Sequence, residues 1–369
     1  MIIGIDGSRA FLSERTGVEE YSYQIIKHLA EIKELSNSKA KVILYLRKGQ
    51  KIDLNLPKNW KTKTLNWPRF WTQLGLSLEM LFHPVDVLFI SAHVTPLIHP
   101  SRTVVVIHGL EYEIIKEAYS FWERFYMRHS IKFSCRWAKK IIAVSKNTKK
   151  DLMELYNVPE NKIEVVYAGI SSHSERSEES RDLIPRSFAN AQDDGYLLFI
   201  GRLEKRKNII GIISAFEVLK KRYNIPFKLA LIGRTGFGYQ EIKNKIEDSK
   251  YKTEIIETGF LNEKEKCALM KGSKVFLFPT LYEGFGLPIL EAQALGVPVV
   301  TSNVSSLPEV GGDSVAYCNP QEPESIAAAI YKVINDENFK DALIGKGYEN
   351  IKKFSWKKCA EEISRLLVE

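Results

Sequence analysis

The chain has 369 residues, 44% of them hydrophobic and 27% charged, an ordinary globular balance whose length suits two domains of roughly 150–200 residues better than one. No apolar run reaches the ~18–20 residues needed to span a bilayer, and the first stretch, MIIGIDGSRA, has neither the basic start nor the long apolar core of a signal peptide, so it reads as a first strand. Residues 1–170 hold 25 Lys/Arg against 17 Asp/Glu and the remainder 28 against 28, so the whole net charge of +8 lies in the first half; that suits nucleic acid, an anionic membrane surface or an acidic substrate, or is simply a solvated basic surface.

In chain order, MIIGID, KVILYL, VDVLFI, RTVVVIH, KKIIAVS and KIEVVY read as strands, with YSYQIIKHLAEI, FWERFYMRHSIKFSCRWA and NTKKDLMELY as helices. The second half repeats the scheme. YLLFIG, FKLALIG, KVFLFP and PVVTS are strands separated by the helical runs NIIGIISAFEVLKKRY, YQEIKNKIED and EKEKCALMKG. Strands that are apolar along their whole length, alternating with helices, belong to parallel sheets covered on both faces. The fold class is therefore α/β, with two successive doubly wound Rossmann-like domains. Between them SSHSERSEESRDLIPRSFANAQDDG, Ser171–Gly195, has too few apolar residues to offset its ordering entropy and reads as a solvated insertion. Its composition resembles translated palindromic repeat elements; a hinge or phosphosite cluster is the alternative. The cysteines, Cys135, Cys267, Cys318 and Cys359, never form C-x-x-C and read as reduced buried thiols of a cytosolic protein.

The chemistry concentrates in the second half. In YEGFGLPILEA, Glu283 stands in a turn after the strand KVFLFP, Pro288 suits a first helical position, and Glu291 faces outward about one turn in. A helix start at the carboxyl end of a parallel strand binds anions, and Gly284 and Gly286 let a ligand approach the backbone. Carboxylates on either side of such a site suit sugar hydroxyls, the pattern of a nucleotide-sugar; the plainer reading is one capping and one solvated glutamate. In GRLEKRKN, Arg202 and Lys207 sit after the strand YLLFI and together can neutralise a diphosphate leaving group. No D-x-D pair is present to hold a divalent cation, so this positive pair would replace a metal; no metal site and no cofactor are expected.

With SSLPEVGGD, VVVIHGLEYE and KKIIAVSKNTKKDLMELYNVPENKIEVVYAGI, these motifs resemble glycosyltransferase family 4, retaining enzymes of the GT-B fold, in which two Rossmann-like domains face each other across a cleft. The resemblance spans nearly the whole chain apart from the insertion. It implies an acceptor-binding domain at 1–170, a linker at 171–195, a nucleotide-sugar domain at 196–350 and a final helix at 351–369 that crosses back to the first domain. It implies that Arg202 and Lys207 grip the diphosphate, that Glu291 binds the ribose, and that Glu283 takes the transferred sugar's hydroxyls beside the amides of Gly284, Phe285, Gly286 and Leu287. His108 would meet the same sugar from the first domain, with Gly109 where the family has an aspartate and Glu111 a compensating candidate. IDGSRAFLSERTGVEEY places Asp6, Arg9 and Gly17 in the loop after the first strand, where Gly17 would let the chain pass near the donor phosphates; Glu19 replaces the segment's second glycine.

Weaker signals remain. IGRTGFGY (Ile232–Tyr239) either lines the base or phosphate pocket or is an ordinary loop. His93 reads as structural before functional, and Trp60, Trp67, Phe70 and Trp71 as core before membrane or acceptor contacts. The resemblance implies a metal-independent hexosyltransferase acting on a nucleotide-diphosphate sugar donor and a saccharide or lipid-linked acceptor in cell-surface polysaccharide synthesis. Mannosyltransferase-like segments favour GDP-mannose over UDP-glucose. A nucleotide-sugar 2-epimerase of the same fold is the rival reading. The implied location is cytoplasmic, with peripheral contact to the inner membrane face through the basic domain. Nucleic acid is not expected as a partner, because no helix-turn-helix, zinc finger or aromatic platform appears.

Overall fold

A computed structural model of the chain describes residues 1–12, 14–36, 40–170 and 195–369. They form two compact units, the first of Met1–Leu110, Phe121–Gly169 and Phe354–Glu369, the second of Glu111–Ser120 and Ile170–Lys353. The stretch read as a solvated insertion lies outside the described residues except for Gly195.

The first unit runs β1 (Ile2–Asp6), α1 (Gly17–Glu31), α2 (Lys33–Ser36), β2 (Lys41–Arg47), β3 (Trp60–Leu65), a π-helical turn Trp71–Leu76 continuing into α3 (Ser77–Phe82), β4 (Val87–Ile90) and β5 (Arg102–Ile107). A short α4 (Glu111–Ile114) belongs to the second unit; α5 (Phe121–Trp137), β6 (Lys140–Ala143), α6 (Lys146–Tyr156) and β7 (Ile163–Val165) return to the first. Its seven strands lie in the order β3-β2-β1-β4-β5-β6-β7, all parallel.

The second unit continues with β8 (Tyr196–Ile200), α7 (Ile209–Tyr223), β9 (Lys228–Ile232), α8 (Tyr239–Glu247), β10 (Ile255–Thr258), α9 (Glu263–Gly272), β11 (Val275–Phe278), α10 (Leu287–Ala294), β12 (Val299–Ser302), α11 (Leu307–Gly311), β13 (Ala316–Cys318), α12 (Pro323–Asn335) and α13 (Glu337–Ile351). Its sheet is β10-β9-β8-β11-β12-β13, again all parallel. The central strands are buried throughout because helices cover both faces, which is why their sequences lack alternation. Each sheet reverses its winding once, between β1 and β4 and between β8 and β11, and crevices open beyond the strand ends at such points.

The last helix, α14 (Trp356–Val368), joins the first unit and packs on α1. Cys359, Ala360, Ile363 and Leu367 form its buried stripe; Trp356 lies edge-on to Tyr21, 5.6 Å between ring centroids. The chain passes so close here that a Cβ on Gly169 would lie 2.0 Å from the Trp356 nitrogen, so only glycine fits.

Strands β3, β10 and β13 are absent from the sequence-based assignment. All three are edge strands, or next to solvent on one face, and only partly buried, so they lack the continuous apolar run. The aromatic cluster divides: Trp60 and Trp71 are core, whereas Phe70 is 63% and Trp67 38% exposed, against the core assignment for those two.

Candidate functional site

Beyond β8 the chain makes a bridge at Leu203 and a 3₁₀ turn, Lys205–Lys207, before α7. Two neighbouring loops hold this segment. From the loop after β9, the Arg234 carbonyl accepts from the Leu203 amide at 2.8 Å, and the Phe237 carbonyl from Lys205 at 3.0 Å. The approach requires glycine at 233, where φ is +142° and a Cβ would sit 1.9 Å from the Gly201 oxygen. The IGRTGFGY loop is thus a buttress for GRLEKRKN. From the loop after β11, the Leu281 amide donates to the Arg206 carbonyl at 3.0 Å. Asn208, in the left-handed region, donates to the carbonyls of Pro279 and Pro320 at 3.0 and 2.7 Å.

The functional side chains converge on Glu283. Its Oε1 accepts from Lys207 Nζ at 2.6 Å and from Arg206 at 3.0 Å, and Arg206 also reaches Glu204 at 2.8 Å. All four side chains are no more than 14% exposed. Burial pushes the Glu283 carboxyl up, but Lys207 and Arg206 together outweigh it and hold it below the usual carboxylate range. Burial, then the Arg206 guanidinium, lowers Lys207 despite the Glu283 contact. Burial also opposes the charge on Arg206, yet Glu283, Glu111, Tyr119 and Glu204 raise it above its ordinary value. Two cations thus balance Glu204 and Glu283.

The Glu283 loop is pinned from α11. The Ser305 hydroxyl accepts from the Glu283 amide at 3.0 Å, and Ser306 donates to the carbonyls of Glu283 and Phe285 at 2.9 and 2.7 Å. Ser305 itself is left-handed, with φ of +53°, a strained conformation of the kind that gathers at binding sites. Gly286, φ +118°, caps α10, whose first turn carries Leu287 and Pro288.

The structure therefore brings Lys207 and Glu283 into contact, with Gly284, Phe285, Gly286 and Leu287 on the same loop and helix start. Arg202 stands apart, its side chain 60% exposed and 3.8 Å from Glu204. Glu291 pairs with Lys266 of α9 at 3.2 Å and is 16% exposed, so it is held and not a solvated carboxylate. Sequence reasoning missed Arg206, because charge alone does not tell which side chain of Lys205-Arg206-Lys207 turns inward; Lys205 faces solvent toward Glu241. It also missed the serine clamp, though SSLPEVGGD was singled out. Glu111 lies in the second unit and acts electrostatically on Arg206.

The first unit's crevice is built differently. His108, just past β5, points Nε2 at the Ser91 carbonyl at 2.8 Å; a carbonyl only accepts, so Nε2 carries the proton and Nδ1 is the acceptor side. Tyr21 and His93 meet its ring edge-on, 4.6 and 5.1 Å between centroids. Burial pushes His108 down to about 4, against smaller opposing effects of the Ser91 carbonyl and Glu19, so the ring is neutral at pH 7. His93, left-handed at φ +44°, is pushed well below its ordinary value by burial and by His108. The Asp6 carboxyl, raised by burial, accepts from the Ser8 amide at 2.8 Å. Gly17 is not in the loop after β1 but is the first residue of α1; a Cβ there would meet nothing within 4 Å. Glu19 closes a capping box with Thr16 and pairs with Arg9 at 3.4 Å.

Residues 15–173 match the family model described as Glycosyltransferase Family 4, and residues 180–350 that described as Glycosyl transferases group 1. The O-antigen chain mannosyltransferase B of Escherichia coli is 29% identical over 374 residues, covering 94% of each chain. Among solved structures, WaaG, a glycosyltransferase involved in lipopolysaccharide biosynthesis, superposes with a TM-score of 0.73 at 16% identity, over 99% of both chains. The Anabaena protein HepE, in complex with UDP and glucose, gives 0.73 at 16% identity over 100% of this chain and 99% of its own.

Proposed function

The chain belongs to glycosyltransferase family 4, with the GT-B fold, and we propose that it transfers a hexose, mannose from GDP-mannose, to a saccharide or lipid-linked saccharide acceptor in polysaccharide synthesis, with retention of anomeric configuration. One observation carries the reading: a buried ammonium, Lys207, resting on the carboxylate Glu283 beside a glycine-capped helix start at the sheet's switch point. When a diphosphate enters, Lys207 turns from Glu283 to the phosphate oxygens, and Arg206 remains as the carboxylate's counter-ion. Glu283 is then able to accept hydrogen bonds from the sugar's hydroxyls. Leaving-group charge grows against Lys207 and the amides of Gly284, Phe285, Gly286 and Leu287, joined by Arg202 once its exposed side chain folds over the donor. These groups do the work of a metal in this reading, and no cofactor is called for.

Glu291 takes the ribose hydroxyls, sharing itself with Lys266. His108, neutral, contributes a hydrogen bond to the transferred sugar, and Gly17 leaves room for the donor at the start of α1. The departing phosphate accepts the acceptor's proton, so the protein's contribution is positioning and electrostatics. The mannosyl donor is supported by the Escherichia coli relative, named as an O-antigen chain mannosyltransferase. Placement in the cytoplasm with peripheral membrane contact follows from the lipid-linked acceptor class; among the described residues no helix is long and apolar enough to cross a membrane.

A thermal-shift panel of GDP, UDP, ADP and TDP tests the donor, since a ligand at ~100 times its Kd stabilises by ~2.7 kcal/mol. GDP is expected to raise the melting temperature most. A response to UDP alone overturns the mannose assignment, and no response to any of them overturns the nucleotide-sugar reading. Incubation with GDP-mannose, and separately with UDP-sugars, in the absence of acceptor separates transfer from epimerisation, because an epimerase converts its nucleotide-sugar alone.

A further inference from the structure

The first unit carries an apolar surface that neither crevice uses. On α5, Phe121, Trp122, Phe125, Tyr126 and Phe133 are all between 46% and 74% exposed. Their spacing of one, four, five and twelve residues puts them on one side of the helix, opposite buried Ile131, Ser134 and Cys135. Next to it, Phe70, Leu74, Leu78, Leu81 and Phe82 of the π-turn and α3 are 38–70% exposed. The two groups are continuous. Gln73 donates to the Tyr126 hydroxyl at 2.7 Å, and the Ser77 hydroxyl accepts from Leu97 at 2.8 Å; Leu97 is itself 57% exposed. A cavity of about 270 Å³ lies in this region, lined in part by Leu65, Trp67, Leu78 and Phe82. Apolar exposure on this scale marks an interaction surface.

Its charge selects the occupant. Residues 121–139 hold five cations, Arg124, Arg128, Lys132, Arg136 and Lys139, against one acid, Glu123, a balance of +4. All but Arg124 of the five are exposed. A symmetric self-interface would lay this +4 face against its own copy, with like charges opposed. An anionic bilayer satisfies both features at once: aromatic rings settle at the headgroup level, and Lys and Arg stems reach past them to lipid phosphates.

We infer that the face formed by α5, α3 and the π-turn is where this protein docks, in the plane of the interface, on a membrane containing anionic phospholipid. The inference builds on the membrane contact in the reading above but stands on different atoms, and vesicle binding needs neither donor nor acceptor. The full-length chain is expected to sediment with phosphatidylcholine vesicles doped with phosphatidylglycerol, weakly with phosphatidylcholine alone, and to be released in part by high salt. Phe121→Ser with Trp122→Ser, and separately Lys132→Glu with Arg136→Glu, lower partitioning at least ~10-fold, with unchanged melting temperature and unchanged transfer to a water-soluble acceptor. Should the α5 variants prove unstable, Leu81→Gln with Phe82→Gln tests the other edge of the same face.

Wild-type protein that stays in the supernatant with anionic vesicles overturns the inference, as do folded variants that sediment like wild type. So does a dimer in sedimentation velocity that these substitutions dissolve without any vesicle binding. Vesicle binding without glycosyl transfer leaves the docking face standing and removes only the enzymatic reading.

Discussion

The two sheets share one topology yet arm their switch points in opposite ways. Beyond β8 and β11 lie buried ions, Lys207, Arg206, Glu204 and Glu283. Beyond β4 and β5 lie two neutral imidazoles, with a buried Asp6 whose charge burial disfavours at the end of β1. The half with the +8 excess therefore has the less charged crevice, and the half with no net charge holds the ions. Net charge describes the outer surface, where the cations of α5 stand; the polarity of a site is set by which few charges are buried, and against what.

Removing a member of the ionic cluster should produce the largest effect. Arg206→Ala leaves Glu283 and Glu204 short of a cation in a buried place, a loss of about 3–5 kcal/mol in urea unfolding. An equal loss from a matched change at His108 would erase the contrast. Next, Lys207→Ala is expected to cut kcat roughly 100-fold at saturating donor, about 2.7 kcal/mol of transition-state stabilisation. Wild-type turnover in that variant removes metal-free stabilisation of the leaving group from the mechanism. A smaller change sharpens the role of the clamp: Ser306→Ala removes hydrogen bonds to two carbonyls, about 1–2 kcal/mol by thermal denaturation, with the larger share of any kinetic effect in donor KM.

Near pH 7 the imidazole crevice should give stability almost no pH dependence, and its signature lies at lower pH. The folded His108 has its proton affinity depressed from 6.5 to about 4, so its contribution to stability is complete above pH 6.5 and is lost as pH falls toward 4, because the unfolded chain binds the proton more readily. His93 acts in the same direction. A melting temperature that falls over that window, and falls less in His108→Asn, confirms the neutral ring. A profile identical to wild type shows that His108 is not buried in its neutral form.

Sequence made the sheet interiors legible because buried parallel strands such as Val275–Phe278 have no polar alternative at any position. Edge strands escaped for the converse reason. Trp60–Leu65, written WKTKTL, has only Trp60 buried, a pattern that fits a loop as well as a strand. In the site, Glu283, Lys207 and Gly286 were legible because glycines, a proline and a strand end fix where they stand. Arg206 was not, since its inward turn depends on Glu204 and Glu283, 77 residues apart from it at the farther end. The serine clamp depends likewise on a loop 22 residues downstream of Glu283.

The position of α14 reaches beyond the finished molecule to its manufacture. Tyr21, Trp356 and the apolar stripe of α14 bury one another in the first unit, yet α14 is synthesised after every strand of the second. On the ribosome, α1 must wait with its greasy side uncovered while the 324 residues from 32 to 355 emerge, a delay in which chaperones and misassembly compete for it.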